Sequence, residues 1–360
     1  MVTPPEVPTP RPAHDRHDPR ADIEAGLREA RAQFDAANEA INRRSGRNLP
    51  AAIGIGILLG GSFLVSLILL KWLFIVFGAV LIGFTAWELS TAIRVAGRMT
   101  PRVVSVVVGV LAAPVAFYGA APADPKGFDL GRDLTHPYGF GASVEGLWLA
   151  VLGAIVVVSL WRLAELVLRS HRTGAKNVLL DIGAGMFVQV YVTFMAGFYL
   201  VLTASGQDGG LITGGAGAEG PVGGQYWTLA CIVIVVATDT GAWGTGIWLG
   251  KHKLAPNISP GKTWEGFVGS IVVAMVAGAI LAPLMLHVPI WIGIAMGLLL
   301  ALVGTSGDLT ESLIKRDLGI KDISSILPGH GGFLDRLDSI LPSAAVAYAI
   351  YYVLGVAGLR

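Results

Sequence analysis

The chain is short of charge. Of its 360 residues only 14% are Asp, Glu, Lys or Arg, and the net charge is +1, whereas soluble domains carry about 25% charged residues. With 53% hydrophobic residues, that scarcity excludes an ordinary water-soluble domain and marks an integral membrane protein. The near-zero net charge supplies no global field for nucleic acid, and no nucleic-acid partner is expected. Cysteine is almost missing as well. Cys231 stands alone inside an apolar run, so neither an intrachain disulfide nor a Cys/His metal spacing exists, and the thiol reads as packing. Residues 1–20 lack an apolar core and do not read as a secretory signal peptide. Pro-rich and without a periodic apolar face, they read as a disordered tail. A P-loop is absent too: Gly261-Lys262-Thr263 has the ending of one, but Pro256 stands where the pattern needs Gly, and no strand is expected ahead of it.

What the chain has is long apolar runs. Nine recur, at 50–70, 72–95, 102–121, 146–168, 177–203, 226–249, 266–287, 289–307 and 341–358, each long enough to cross about 30 Å of hydrocarbon as a helix. The expected fold is therefore all-α, a polytopic membrane protein of about nine transmembrane helices. Four regions are expected: the tail 1–20, an amphipathic cytoplasmic helix over 21–48, N-terminal transmembrane helices over 49–225, and a C-terminal, chemistry-bearing transmembrane region over 226–360. The helix over 21–48 is expected because Ile23, Leu27, Ala30, Phe34, Ala37 and Ile41 form a heptad stripe. Nine spans sort sixteen cationic residues, among them Arg43, Arg94, Arg169, Lys251 and Lys315, to one side, against Lys71, Lys126 and Arg132 on the other. Positive charge favours the cytoplasm. The N-terminus and the two charged blocks, 250–265 and 308–340, are thus expected on the cytoplasmic side of a cell inner membrane.

Within this apolar background, residues 305–339 are densely polar. Asp335 and Asp338 are three apart in what reads as the first turn of a helix, which places both carboxylates on one face. Converging hard oxygens suit Mg²⁺, and Asp308, at the end of the preceding span, could supply a third ligand. Pro328-Gly329-His330-Gly331-Gly332 reads as a tight turn whose backbone N–H groups could cradle an anion. Lys315, Arg316 and Lys321 face it with positive charge. Acids for a metal beside cations for phosphates is the equipment of nucleotide chemistry. Asp239 lies late in an apolar span, where an ionisable group is costly. Asp181, Glu88 and Glu165 raise the same question, and read as structurally paired or interfacial.

The stretch from Ser312 to Asp338 resembles the phosphatidate cytidylyltransferase (CDP-diacylglycerol synthase) family. The pattern S-x-x-K-R-x4-K-D followed by H-G-G-x-x-D-R-x-D is met by Ser312, Lys315, Arg316, Lys321, Asp322, His330, Gly331, Gly332, Asp335, Arg336 and Asp338. A second block, from Asp239 through Lys251, Lys253, Lys262, Thr263 and Glu265, is also similar. The resemblance covers roughly residues 225–340 and implies CTP and phosphatidic acid as substrates, CDP-diacylglycerol and pyrophosphate as products, and the bilayer as the lipid's source. It implies Mg²⁺ held by Asp308, Asp335, Asp338 and Asp239, with K⁺ as a candidate second cation. On this reading Asp335, Asp338, Lys315 and His330 form the catalytic set. Lys251, Lys253, Lys262, Arg316, Lys321, Arg336, Gly331 and Gly332 form the substrate-binding set. A homodimer is among the assemblies left open. A CTP-dependent polyprenol or other lipid-alcohol kinase is the rival enzyme, and a transporter lined by Asp239, Asp181 and Glu88 is the rival of another class.

Overall fold

A computed structural model describes residues 49–68, 71–118, 142–168, 177–205, 223–324, 326–327 and 331–359. The expected tail, the expected helix over 21–48 and His330 lie outside these residues. The chain divides into two units, Met1–Ile53 and Gly54–Arg360. Of the first, only residues 49–53 are described, as the opening of a helix; all that follows concerns the second.

Within the described residues each of the nine apolar runs contains a helix: α1 Leu49–Ile68, α2 Lys71–Val95, α3 Arg102–Tyr118, α4 Ala142–Leu168, α5 Val178–Ala204, α6 Gly224–Leu249, α7 Trp264–Leu286, α8 Ile290–Asp317 and α9 Leu334–Val356. Seven are long and apolar enough to cross a membrane; α1 and α3 carry the shorter apolar stretches Gly54–Ile68 and Arg102–Phe117. The protein is a multi-pass membrane protein with seven such helices among the described residues. Side chains such as Leu160, Leu168, Val272 and Leu284 lie exposed on their outer faces, as lipid-facing helices require.

Three local features depart from the sequence reading. Between α6 and α7 the chain forms an antiparallel hairpin, β1 Lys253–Ala255 and β2 Ser259–Thr263, so the fold is helical but not wholly so. Thr263 then caps α7 by accepting the Gly266 N–H at 3.1 Å. Helix α8 does not stop at 307 but runs on to Asp317. Its last ten residues hold neither Gly nor Pro, and it ends in a Schellman motif. Gly319 takes φ +70°, while the Ile320 and Gly319 N–H groups bond the Lys315 and Arg316 carbonyls at 2.9 and 3.1 Å. The regular pattern of helix α9, which starts at Leu334, lapses at Asp338–Ser339 before resuming at Ile340, although both residues keep right-handed helical angles, so Asp335 and Asp338 stay about one turn apart.

Lipid offers no hydrophobic drive between helices, so close packing must supply it. On α7 and α8, a Cβ at Gly278 would overlap the Gly293 carbonyl, and one at Gly297 would overlap the backbone of Ala274 and Met275. Helix α6 joins α7 through Gly269, which seats Thr245, and Gly241, which seats Val273. In the N-terminal half, buried Arg162 of α4 grips Asp181 of α5 through Nη2 and Nε at 2.7 and 3.1 Å. The Met99 N–H donates to the same carboxylate at 2.9 Å. Asp181 and Glu165, which lies 3.7 Å from Arg162, are thus structurally paired, as the sequence suggested.

Candidate active site

Four chain segments meet at one end of the bundle: the end of α6, the hairpin with the start of α7, the end of α8, and the start of α9. Their meeting depends on Gly307. A Cβ there would overlap the Asp338 carbonyl and the Pro342 ring; without one, α8 lies directly on the lapse in α9. The next residue, Asp308, is thereby brought beside Asp338. At the lapse, the Ser339 N–H donates to Asp338 Oδ1 at 2.7 Å. The Ser339 hydroxyl lies 3.4 Å from the same oxygen and 3.5 Å from Asp239 Oδ1.

These segments enclose a polar cavity of about 460 Å³, lined by Asp239, Asp308, Asp335, Asp338, Lys262 and Arg336, with Thr238, Thr305 and Ser339. Residues spread over about a hundred positions, from Thr238 to Ser339, thus face one space. Lys262 Nζ pairs with Asp308 Oδ2 at 2.7 Å and reaches the Thr305 carbonyl at 3.5 Å, which pins the hairpin to α8. Lys315 lies between two acids, 2.5 Å from Glu311 Oε2 and 3.0 Å from Asp335 Oδ1. The other Asp335 oxygen accepts the Gly332 N–H at 2.8 Å. Both Asp335 oxygens therefore have partners within the chain. Asp338 and Asp239 hold only hydroxyl and backbone donors and form no ion pair among the described residues. The two acids three positions apart occupy different environments.

Of the turn expected over Pro328–Gly332, only Gly331 and Gly332 lie among the described residues. Gly331 takes φ +82°, the left-handed region that favours glycine. Of the N–H groups that follow, that of Gly332 is taken by Asp335, and those of Phe333 and Leu334 both donate to Glu88 of α2 at 3.0 Å. Glu88 also accepts the Ser324 hydroxyl at 2.5 Å and is 1% exposed. It caps α9 from a distant part of the chain, consistent with the structural pairing expected of it. Nothing in its local sequence marks that role. Glu311, also buried, escaped the sequence reading as well, though its i,i+4 spacing to Lys315 is a readable sign.

Not every expected residue reaches the cavity. Lys251, Lys253 and Lys321 are exposed and do not line it. Arg316 donates through Nε to the Ile258 carbonyl at 3.3 Å, tying the end of α8 to the hairpin turn. Glu265, in the first turn of α7, accepts the Lys251 and His252 N–H groups at 3.0 and 3.2 Å and fixes the approach to the hairpin. Exposed Trp248 and Trp264 flank it, a placement suited to a membrane–water interface.

A family model described as the cytidylyltransferase family matches residues 133–354. A phosphatidate cytidylyltransferase of Mycobacterium bovis is 34% identical over 316 residues, which are 86% of this chain and 90% of that protein. One from Mycobacterium leprae is 34% identical over 320 residues, again 86% of this chain and 90% of that protein. One from Staphylococcus aureus is 46% identical over 119 residues, 33% of this chain and 46% of its own length. With a family match over more than half its length and relatives this similar along most of theirs, the chain belongs to the cytidylyltransferase family and is a nucleotidyltransferase.

Proposed function

We propose that the protein is a phosphatidate cytidylyltransferase, joining CTP and phosphatidic acid into CDP-diacylglycerol with release of pyrophosphate. The observation that carries this beyond family membership is the cavity in which Asp239, Asp308, Asp335 and Asp338 converge with Lys262 and Arg336 at the end of a membrane bundle. In the reaction a phosphate oxygen of the lipid attacks the α-phosphorus of CTP, forming a P–O bond. The bond from that phosphorus to the β-phosphate bridging oxygen breaks, and its electron pair leaves with pyrophosphate. A phosphate monoester has a second pKa near about 6, so the nucleophile is already largely dianionic and needs no general base. The chain's task is to bring two anions together in line.

The residues fit a divalent cation by donor chemistry. Their carboxylates are the hard oxygens Mg²⁺ prefers, and Mg²⁺ is commonly bound by one or two carboxylates with substrate phosphates completing its shell. Among the described residues no three acidic, His or Cys side chains are gathered as a ready cage. Asp338 and Asp239, with Asp308 beside them, would hold it, and when bound it would neutralise charge on the triphosphate. Lys315 orients Asp335, which in turn fixes the Gly332 turn. Lys262 and Arg336 offer cations to phosphate. K⁺ remains a candidate second ion. The positive-inside bias and the polar end of the bundle support a cytoplasmic site, a cytoplasmic N-terminus, nine spans and a location in the cell inner membrane.

The test is purified protein with CTP labelled in the base, phosphatidic acid and Mg²⁺. The expected result is lipid-linked cytidine and one pyrophosphate per turnover. Release of free CDP with a newly phosphorylated lipid alcohol would instead make it a kinase. Solute flux into vesicles without nucleotide turnover would favour a transporter.

A further inference from the structure

A second cavity, of about 250 Å³, adjoins the first and is lined almost wholly by carbon. Phe63 of α1, Phe77 of α2, Ala196 of α5 and Phe333, Leu337 and Ile340 at the start of α9 bound it. One charged residue borders it, Arg336, and Arg336 also borders the polar cavity. The partition between the two spaces is a short length of α9. Asp338 and Ser339 face the polar side, while Leu337, Ile340 and Leu341 face the apolar side.

We propose that this groove holds one acyl chain of the lipid substrate while Arg336 meets the lipid phosphate. The inference rests on the cytidylyltransferase reading and extends it to the hydrocarbon. Three observations carry it. The space exceeds the roughly 150 Å³ apolar cavity that stays dry and takes benzene, so it suits a stretch of chain and repels water. Its single cation sits at the edge shared with the carboxylate-lined cavity. A ligand occupying both spaces must therefore be hydrocarbon at one end and anionic where it passes Arg336, which describes a phosphatidic acid and not a neutral lipid. Gly60 of α1 lines the groove and is exposed, so the groove reaches the outer surface of the bundle, from which a bilayer lipid can enter.

The position of Gly60 also supplies the test. A Cβ there meets nothing within 4 Å, so Gly60→Phe adds bulk beside the groove without striking the backbone. Ala196→Phe adds bulk to the lining from α5. Each variant is purified, checked for cooperative thermal unfolding, and assayed for kcat/KM with dioleoyl and with dihexanoyl phosphatidic acid at saturating CTP. Displacing a few methylenes from an apolar pocket changes kcat/KM by about 10-fold or more. The long-chain to short-chain ratio is thus expected to fall about tenfold in whichever variants fold. A ratio within twofold of wild type in a folded, active variant overturns the proposal and leaves the groove to bulk bilayer lipid. Should wild-type protein convert neither lipid, the cytidylyltransferase reading fails first and this inference falls with it, a result distinct from an unchanged ratio.

Discussion

Removing the Glu88 carboxylate tests whether the N-terminal half takes part in forming the site. Glu88 accepts the Phe333 and Leu334 N–H groups at 3.0 Å each and the Ser324 hydroxyl at 2.5 Å. Glu88→Ala leaves two buried backbone donors without an acceptor, at about 1–3 kcal/mol each. A total of about 2–6 kcal/mol then opposes the seated turn, and the low end alone is a factor of about 30 between seated and displaced forms. Asp335 and Asp338 follow that turn within five residues of Phe333. Turnover at saturating substrates is therefore expected to fall, by about 30-fold where the turn is only marginally seated in the wild type, while Glu88→Gln, which keeps one acceptor oxygen, falls less. Measuring kcat well below the unfolding temperature of each variant separates positioning from global loss, because a purely structural role would lower the midpoint and leave kcat per folded molecule unchanged. A Glu88→Ala protein that is folded and turns over at the wild-type rate would refute the reasoning. The seat is narrow on both sides: a Cβ at Gly332 would lie 2.8 Å from Glu88 Oε2 and 2.9 Å from Ser324 Oγ.

Asp338→Asn removes a carboxylate from the polar cavity with little change in volume; activity is expected to fall by about 100-fold or more, as when a preorganised charge is deleted, with the unfolding midpoint near wild type. Lys315→Met strips the counter-charge from buried Glu311 and from Asp335, and breaking a buried pair costs about 3–5 kcal/mol; thermal unfolding should show that loss, and adding Glu311→Gln should restore much of the stability. Asp181→Ala, distant in sequence from the cavity residues, should cost a similar amount by leaving Arg162 buried and unpaired, seen as a lower midpoint with the KM for CTP unaltered.

Much of the architecture was legible because membrane helices announce themselves through unbroken apolar runs, and within the described residues each run contains a helix. The pairing of Asp335 with Asp338 was legible through spacing, and the addition of Asp239, Lys262 and Arg336 came from the family resemblance. The continuation of α8 was not, because Asp308, Glu311, Lys315 and Arg316 lie beyond the apolar run that marked the span. Their i,i+4 spacing and the positive-φ Gly319 carry the helical signal, and polarity masked it. The lapse at Asp338–Ser339 has no Pro or Gly to mark it; it lies where Gly307 of α8 approaches the Asp338 carbonyl. Glu88 was expected to be paired, but its partners were beyond reach for a different reason. Its partners lie more than 230 positions away, and a helix cap supplied by another helix leaves no mark on either local sequence.

The charges around the cavity themselves argue for an incoming cation. Glu311 and Asp335 share Lys315, and Asp308 has Lys262. Asp239 and Asp338, linked through Ser339, are left with neutral donors. Four carboxylates line the space against two cations, Lys262 and Arg336, so its bare lining would repel a triphosphate and a lipid phosphate alike. Such a lining is costly to fold and useless for binding anions alone, since buried charge must be paired. It becomes useful once a divalent ion lies between acids and substrate, reversing the sign of the surface that the phosphates meet. Chelating divalent cations should therefore weaken CTP binding itself and not only turnover. Calorimetry with EDTA-treated protein checks this, and unchanged CTP affinity there would show that Lys262 and Arg336 hold the nucleotide without help.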